Sequence, residues 1–192
     1  MSVNFSWLFF AHSKSFWRSY SHQQSLTLPA HWRPWLLHSD SFTECLLKTG
    51  PINFKVQILS AQWSKAFADE AQALNIQQHS AIWKREVILW GNEQPWVIAR
   101  TIMPRATILA QPQLLNLKQQ ALGDYLFKQH RPQRNNLEIA RTHARITKLP
   151  GLRSEYTLPP TLWSRRSVLS IQHHTLLVSE YLLPYLPAYP EA

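Results

Sequence analysis

The stretch WKREVILWGNEQPWVIARTIMP, residues 83–104, decides the fold of this chain. Two segments rich in Val, Ile and Trp flank the polar sequence GNEQ at residues 91–94, and apolar residues alternate within each segment. Such alternation is typical of half-buried strands, and a short polar connection containing Gly and Asn is typical of a turn. The stretch therefore predicts a β-hairpin that carries one arginine on each strand, Arg85 and Arg100.

The register of this hairpin decides what the two arginines do, because neighbouring side chains on a strand point to opposite faces. A four-residue loop pairs Trp90 with Pro95 and places Arg85 opposite Arg100. Two facing cations destabilise a sheet by roughly 0.2–1 kcal/mol, so this register predicts an anion between them. A shift of one residue places Arg100 opposite Glu86 instead, as an ordinary ion pair of little energetic value. The sequence leaves both registers open.

Composition limits the class of protein and the kind of partner. A chain of 192 residues fits one domain, and 20 Lys and Arg against 11 Asp and Glu give a net charge of +9, which favours an anionic partner. The basic residues are scattered and no recognition motif accompanies them, so we expect no nucleic acid. Cys45 is the single cysteine, which excludes an intrachain disulfide and a cysteine-rich metal site and fits a reducing cytoplasm. No apolar run approaches the roughly 20 residues of a transmembrane helix, so we expect a soluble cytoplasmic protein without membrane insertion.

The last predicted strand, residues 175–183, places an acid in an apolar row. Leu176, Val178, Glu180 and Leu182 share one face of it. Burying a lone carboxylate is so costly that the group gains a cation, accepts hydrogen bonds or takes up a proton. Glu180 therefore either meets water at an edge of the sheet or lines a pocket, and the pattern alone does not separate these two interpretations.

Two further positions offer backbone N–H groups to a ligand. Ser41, with Glu44 three residues later, predicts a capping box at the start of a helix, whose free N–H groups favour a carboxylate. Gly123 permits a tight turn that could present the N–H of Leu122, although a plain connection between two helices fits the same residues.

Several blocks of the chain, in this order, resemble bacterial chorismate lyases over about residues 28–187. The blocks are DSFT (40–43), REVIL (85–89), PW (95–96), ARTIMP (99–104), LGDYLF (122–127), LEIAR (137–141), LWSRRS (162–167) and LVSEYLLP (177–184). The resemblance implies an α+β fold, in which one antiparallel sheet of about six strands is covered by helices and flap segments that close an internal pocket. It places this domain at residues 26–192, after an N-terminal extension at residues 1–25 that is either disordered or packed on the domain.

The resemblance also implies an activity and a set of site residues. Chorismate lyases are carbon–oxygen lyases that convert the dianion chorismate to 4-hydroxybenzoate and pyruvate, the first committed step of ubiquinone biosynthesis. Arg85 corresponds to the arginine that binds the ring carboxylate, Glu180 to the glutamate that meets the ring hydroxyl, and Phe42 and Leu122 to residues whose backbone amides complete the carboxylate site. The family usually has methionine at the position of Phe42, which bears on the shape of the pocket.

The chemistry of the reaction suits a basic protein with few other requirements. Arginines and free amides bind carboxylates, and formation of an aromatic ring drives the elimination, so we expect neither a metal nor another cofactor. We therefore expect Arg85, Glu180 and Arg100 to be the catalytic residues, with Arg100 stabilising charge on the departing enolpyruvyl group. The family suggests a monomer.

One alternative function belongs to a different class of protein. GntR-type transcription regulators carry a non-catalytic domain of similar fold that senses small ligands, and such a domain could bind a small aromatic acid. A regulator of this type needs a winged helix-turn-helix segment, and we find no pattern for one in residues 1–80. A degenerate lyase that binds 4-hydroxybenzoate without turnover is a third possibility.

Overall fold

One antiparallel sheet organises the chain. The computed structural model describes residues 17–20, 28–129, 132–143 and 156–190. Within these residues, seven strands follow the order β1-β5-β6-β7-β4-β3-β2 across the sheet. Their bounds are β1 Arg18–Ser19, β2 Phe54–Lys65, β3 Ala81–Gly91, β4 Gln94–Pro104, β5 Gln133–His143, β6 Thr161–Ile171 and β7 His174–Leu182. The predicted α+β class is confirmed, with seven strands where about six were expected.

Short helices connect and cover these strands. Their bounds are α1 Arg33–Leu37, α2 Phe42–Lys48, α3 Ala68–Leu74, α4 Arg105–Ala110, a 3-10 helix Pro112–Asn116 and α5 Leu122–Gln129. Ser41 caps α2, as expected, because its Oγ accepts a hydrogen bond from the N–H of Glu44 at 3.2 Å. The Glu44 side chain lies 3.8 Å from Lys48 Nζ, so the described contacts give the Ser41 half of the predicted capping box.

The two faces of the sheet carry separate cores. On one face, apolar residues of β3 and β7, among them Val87, Leu89 and Leu182, pack with α1 and α2, and a neighbouring cluster packs against α5. On the other face, Ile82, Ile102 and Leu177 pack with α3. Alternate residues of each strand therefore serve different layers, and the face under α2 and α5 holds the pocket described below.

A β-bulge sets the register of the central hairpin. Asn92 and Glu93 form a two-residue turn with positive φ, 52° and 61°, and Trp90 pairs with Pro95. The register then shifts, so that Leu89 pairs with Val97 and Trp96 is the extra residue. Of the two registers that the sequence left open, the structure therefore has Arg100 opposite Glu86, and Arg85 lies opposite Thr101.

Part of the predicted N-terminal extension belongs to the sheet. Arg18 and Ser19 of β1 pair with Ile139 and Glu138 of β5. The remainder of residues 1–25 other than 17–20, and residues 144–155 of the loop between β5 and β6, lie outside the described residues. Within the described part of the chain, no helix has the length and apolar character needed to cross a membrane.

Candidate active site

A pocket lies between the sheet and the two helices α2 and α5. Its wall combines an apolar lining with three ionisable side chains, Arg85, Arg134 and Glu180. The apolar lining is formed by Val87, Leu89, Ala99, Leu122, Leu126, Phe127, Leu169 and Val178, together with Phe42. Arg85 and Glu180, which the sequence predicted as site residues, therefore share one hollow.

Arg85 is a buried cation held by backbone oxygens. Its side chain is 4% exposed, and its Nη2 donates to the carbonyl oxygens of Lys118 and Gln120, both at 2.9 Å. Among the described residues, no carboxylate lies within ion-pair distance of it, and burial lowers the pKa of Arg85 to about 10. At neutral pH the guanidinium is therefore charged and oriented, and its Nε and Nη1 have no hydrogen-bond partner among the described residues and are available to an anion.

Glu180 is paired with an arginine that the sequence analysis did not assign to the site. Arg165, which is fully buried, lies opposite Glu180 on β6 and donates from Nε to Glu180 Oε2 at 2.6 Å. The Nη1 of Arg165 donates to the carbonyl oxygens of Trp35 and His38 around the end of α1, at 3.1 and 2.6 Å. The carboxylate thus gains a cation, one of the three outcomes expected for it, and is fixed at the pocket wall. Within the described residues, no group donates to its other oxygen, Oε1.

Helices α2 and α5 begin at the pocket wall. Phe42 and Leu122 are their first residues, and the N–H groups of a first helical turn have no acceptor within the helix. The two helix starts come close at Gly123, where a Cβ atom would lie 2.8 Å from Thr43 Oγ1 and 3.1 Å from Ser41 Oγ. Gly123 therefore permits this close approach within a helix, and does not form the tight turn that was one of its two interpretations.

The side chain of Phe42 has a structural contact in addition to lining the pocket. Its ring lies 4.6 Å from the Arg165 guanidinium carbon, within the range of a cation–π contact. The same ring packs against Trp35 with a centroid distance of 5.3 Å. The aromatic residue at this position therefore supports the arginine that holds Glu180, while its backbone lies at the start of α2.

Arg100, the third residue expected in the site, lies on the opposite face of the sheet. It is 2% exposed, and its Nε and Nη2 donate to the two oxygens of Glu70 on α3, at 2.6 and 3.1 Å. Its Nη1 donates to Glu86, which also pairs with Lys84 Nζ at 3.2 Å. Burial opposes the charge, but the carboxylates of Glu70 and Glu86 outweigh it and raise the pKa of Arg100 above its usual value. The structure thus does not bring Arg100 to the pocket, and its ion pair is buried where an exposed pair of little value was expected.

Sequence reasoning missed two arginines at the site, for identifiable reasons. Arg134 lies just before the LEIAR block at residues 137–141, and β5 extends back to include it past a bulge near Asn136, whose φ is 37°. Arg165 faces Glu180 because the last hairpin turns at Gln172 and His173, and its second strand begins at His174, one residue before the predicted start at residue 175. Counting from that turn would have placed Arg165 opposite the carboxylate.

The arrangement suits a small ligand with an apolar body and an anionic group. A cation, two helix starts and an apolar lining can bind an aromatic carboxylate, and Glu180 can accept a hydrogen bond from a hydroxyl group. Within the described residues, no group of three or more His, Cys, Asp or Glu side chains could hold a metal ion. The fold and pocket thus define an α+β domain with a pocket suited to a small organic anion.

The comparison with known proteins narrows this class to one family. The family model described as chorismate lyase matches residues 11–189, so the chain belongs to the chorismate lyase family. It is 36% identical to the probable chorismate pyruvate-lyase of Pseudoalteromonas atlantica, with 91% of each chain covered. It is also 31% identical to the chorismate pyruvate-lyase of Salmonella arizonae, over 84% of this chain and 88% of the relative.

The fold also resembles that of the ligand-binding domain of a putative GntR-family transcriptional regulator from Bordetella bronchiseptica, with a TM-score of 0.51 at 18% identity, covering 74% of this chain and 94% of that one. The C-terminal domain of PhnF superposes with a TM-score of 0.56 at 17% identity, covering 73% of this chain and 89% of that one. At this identity the likeness concerns the fold alone. It confirms the expectation that a sensor domain and this chain share an architecture.

Proposed function

We propose that this protein is a chorismate lyase, a carbon–oxygen lyase that eliminates pyruvate from chorismate and releases 4-hydroxybenzoate. The observation that carries the proposal is the shared pocket of Arg85 and Glu180, in which an oriented carboxylate and a cation that has no carboxylate partner among the described residues line one apolar pocket. The names of the relatives support the same activity. We further propose that the protein acts as a cytoplasmic monomer and supplies 4-hydroxybenzoate for ubiquinone synthesis.

The pocket can bind the ring of chorismate at its two ends. The ring carboxylate accepts hydrogen bonds from Nε and Nη1 of Arg85 and from the N–H groups of Phe42 and Leu122. The apolar lining, including Val87 and Leu126, contacts the ring faces and excludes water, which strengthens the charged hydrogen bonds. At the other end, the ring hydroxyl donates to Glu180.

The chemical step needs positioning more than strong acid or base chemistry. The bond between ring carbon C3 and the ether oxygen breaks, the proton on C4 is lost, and the electron pair of that C–H bond completes the aromatic ring. Pyruvate departs as its enolate, with the electron pair of the C3–O bond, and takes up on its methylene carbon one proton in exchange for the proton lost from C4. Glu180 holds the C4 hydroxyl so that the C4–H bond stays aligned with the breaking C3–O bond, and Arg165 holds Glu180 in turn.

A direct assay tests the proposal. Purified protein is incubated with chorismate, and 4-hydroxybenzoate and pyruvate are quantified together, with heat-denatured protein as the control for spontaneous decay. Equal amounts of the two products, formed faster than in the control, are expected. Binding of 4-hydroxybenzoate without product formation would contradict the proposal and favour a sensing domain or a degenerate lyase. Light scattering of the same sample tests the monomer.

A further inference from the structure

We propose that Arg134 binds the second carboxylate of the substrate, the one on the enolpyruvyl group. This inference rests on the proposed function. It assigns to Arg134 the role that was expected of Arg100, which is to stabilise charge on the departing enolpyruvyl group. Arg134 lines the same pocket as Arg85 and Glu180 but enters it from β5, on the other side of Glu180.

Arg134 is held in place by neutral oxygens only. Its Nη1 donates to Ser167 Oγ at 2.8 Å, its Nε to the carbonyl oxygen of Ser39 at 3.0 Å and its Nη2 to that of Asp40 at 3.3 Å. A guanidinium group has five N–H donors, so two remain for a ligand. Among the described residues, no carboxylate lies within ion-pair distance of it.

The charge of Arg134 is therefore incompletely compensated. Burial and the nearby charge of Arg165 lower the pKa of Arg134 to about 10, although Glu180 and Asp40 partly oppose this. The side chain is thus still a cation at neutral pH. A partly buried cation that keeps free donors beside an apolar pocket is a favourable partner for an anionic group.

The order of the strands matches the order of charged groups along chorismate. Across the sheet, β7 with Glu180 lies between β5 with Arg134 and β3 with Arg85. In chorismate the hydroxyl on C4 lies beside the ether on C3, while the ring carboxylate on C1 is at the opposite end of the ring. When the hydroxyl meets Glu180 and the ring carboxylate meets Arg85, the enolpyruvyl group extends from the Glu180 end of the ring. Arg134 is the pocket cation at that end.

A structural role for Arg134 makes a different prediction. Its contacts with Ser39 and Asp40 tie the segment before α2 to β5, so its loss could disturb the whole pocket. A structural role would then weaken the binding of every ligand alike. A role in binding the second carboxylate affects only ligands that carry one, and 4-hydroxybenzoate does not.

The test compares substrate and product in Arg134→Gln. We expect kcat/KM for chorismate to fall by about 30-fold, the value of one charged hydrogen-bonded contact, while the Kd of 4-hydroxybenzoate stays within about threefold of wild type. Arg134→Lys, which keeps the charge, should recover part of the loss. Arg141→Gln is the matched control, because Arg141 is an exposed arginine on the same strand, beyond the pocket.

Three outcomes separate this inference from the proposed function. Unchanged kcat/KM in Arg134→Gln with an active wild type overturns the assignment of Arg134 alone. Equal losses for chorismate turnover and 4-hydroxybenzoate binding overturn it as well and assign Arg134 a structural role. A wild-type protein that does not convert chorismate overturns the proposed function itself.

Discussion

Replacing Arg85 by methionine should separate ligand binding from stability. Arg85 is buried and has no carboxylate partner among the described residues, so its charge opposes folding. At 1.36 kcal/mol per pKa unit, lowering its pKa from the usual arginine value to about 10 corresponds to about 3 kcal/mol of destabilisation. Because the pKa is lowered in the folded state, this destabilisation is fully present at pH 7 and disappears only as the pH rises above about 10, towards the usual pKa of arginine. Arg85→Met therefore relieves it at neutral pH.

The same substitution also removes favourable contacts. It leaves the carbonyl oxygens of Lys118 and Gln120 without their donor, at about 1 kcal/mol each. We therefore expect the free energy of unfolding in urea at pH 7 to equal or exceed the wild-type value by about 1 kcal/mol. The Kd of 4-hydroxybenzoate should rise more than about 100-fold, because a charged contact worth about 3 kcal/mol is lost.

Two measurements on Arg85→Met can refute this reasoning. A Kd for 4-hydroxybenzoate within about tenfold of wild type, by isothermal titration calorimetry, would show that Arg85 does not bind the ring carboxylate. A loss of more than about 3 kcal/mol of stability would show that Arg85 is a structural residue. Arg141→Met, an exposed substitution, controls for the loss of a positive charge.

Three further substitutions test the remaining parts of the site. Arg100→Met should lower the free energy of unfolding in urea by about 3–5 kcal/mol, because it removes the cation that the buried carboxylates of Glu70 and Glu86 share, and a change below about 1 kcal/mol would contradict the buried network. Gly123→Ala should lower the free energy of unfolding by about 1–3 kcal/mol, because the added Cβ atom overlaps Thr43. Adding Thr43→Ala should recover part of this loss, and strictly additive losses in thermal unfolding would argue against the contact. Glu180→Gln should lower both stability, by about 3 kcal/mol, and kcat/KM, since it leaves Arg165 buried without its carboxylate. In the double variant with Arg165→Met, stability should return while turnover does not, and recovery of both would reduce Glu180 to a structural role.

The sequence predicted the part of the site that follows from local pattern. Glu180 is an acid in an apolar row, and Ser41 is a helix cap, so short-range rules located both. Resemblance assigned binding roles to Arg85, Phe42 and Leu122, and all three line the pocket. These residues sit where the strand period or a helix start determines the direction of a side chain or an N–H group.

The part that was missed depends on single-residue irregularities of the strands. The placement of Arg100 depends on the extra residue at Trp96, and that of Arg134 on the bulge near Asn136. The bulge at Trp96 depends on a packing contact that the strand pattern does not show, because the Trp96 ring occupies the space where Gly91 would carry a Cβ atom. The network of Glu70 was equally hidden, since it joins a helix and a strand 30 residues apart.

The bulge at Trp96 determines which arginine of the hairpin faces the pocket. Trp96 and Val97 both pack on the pocket side of the sheet. Each later residue of β4 therefore faces the side opposite to the one that regular alternation from Pro95 would give. Without the bulge, the same residues would pair Leu89 with Trp96 and place Arg100 opposite Arg85, on the pocket side, and Glu70 would face an uncharged strand. Deleting Trp96, the extra residue, should therefore remove the bulge and keep Arg100 opposite Glu86. Inserting a residue between Trp96 and Arg100 should move Arg100 out of this pairing.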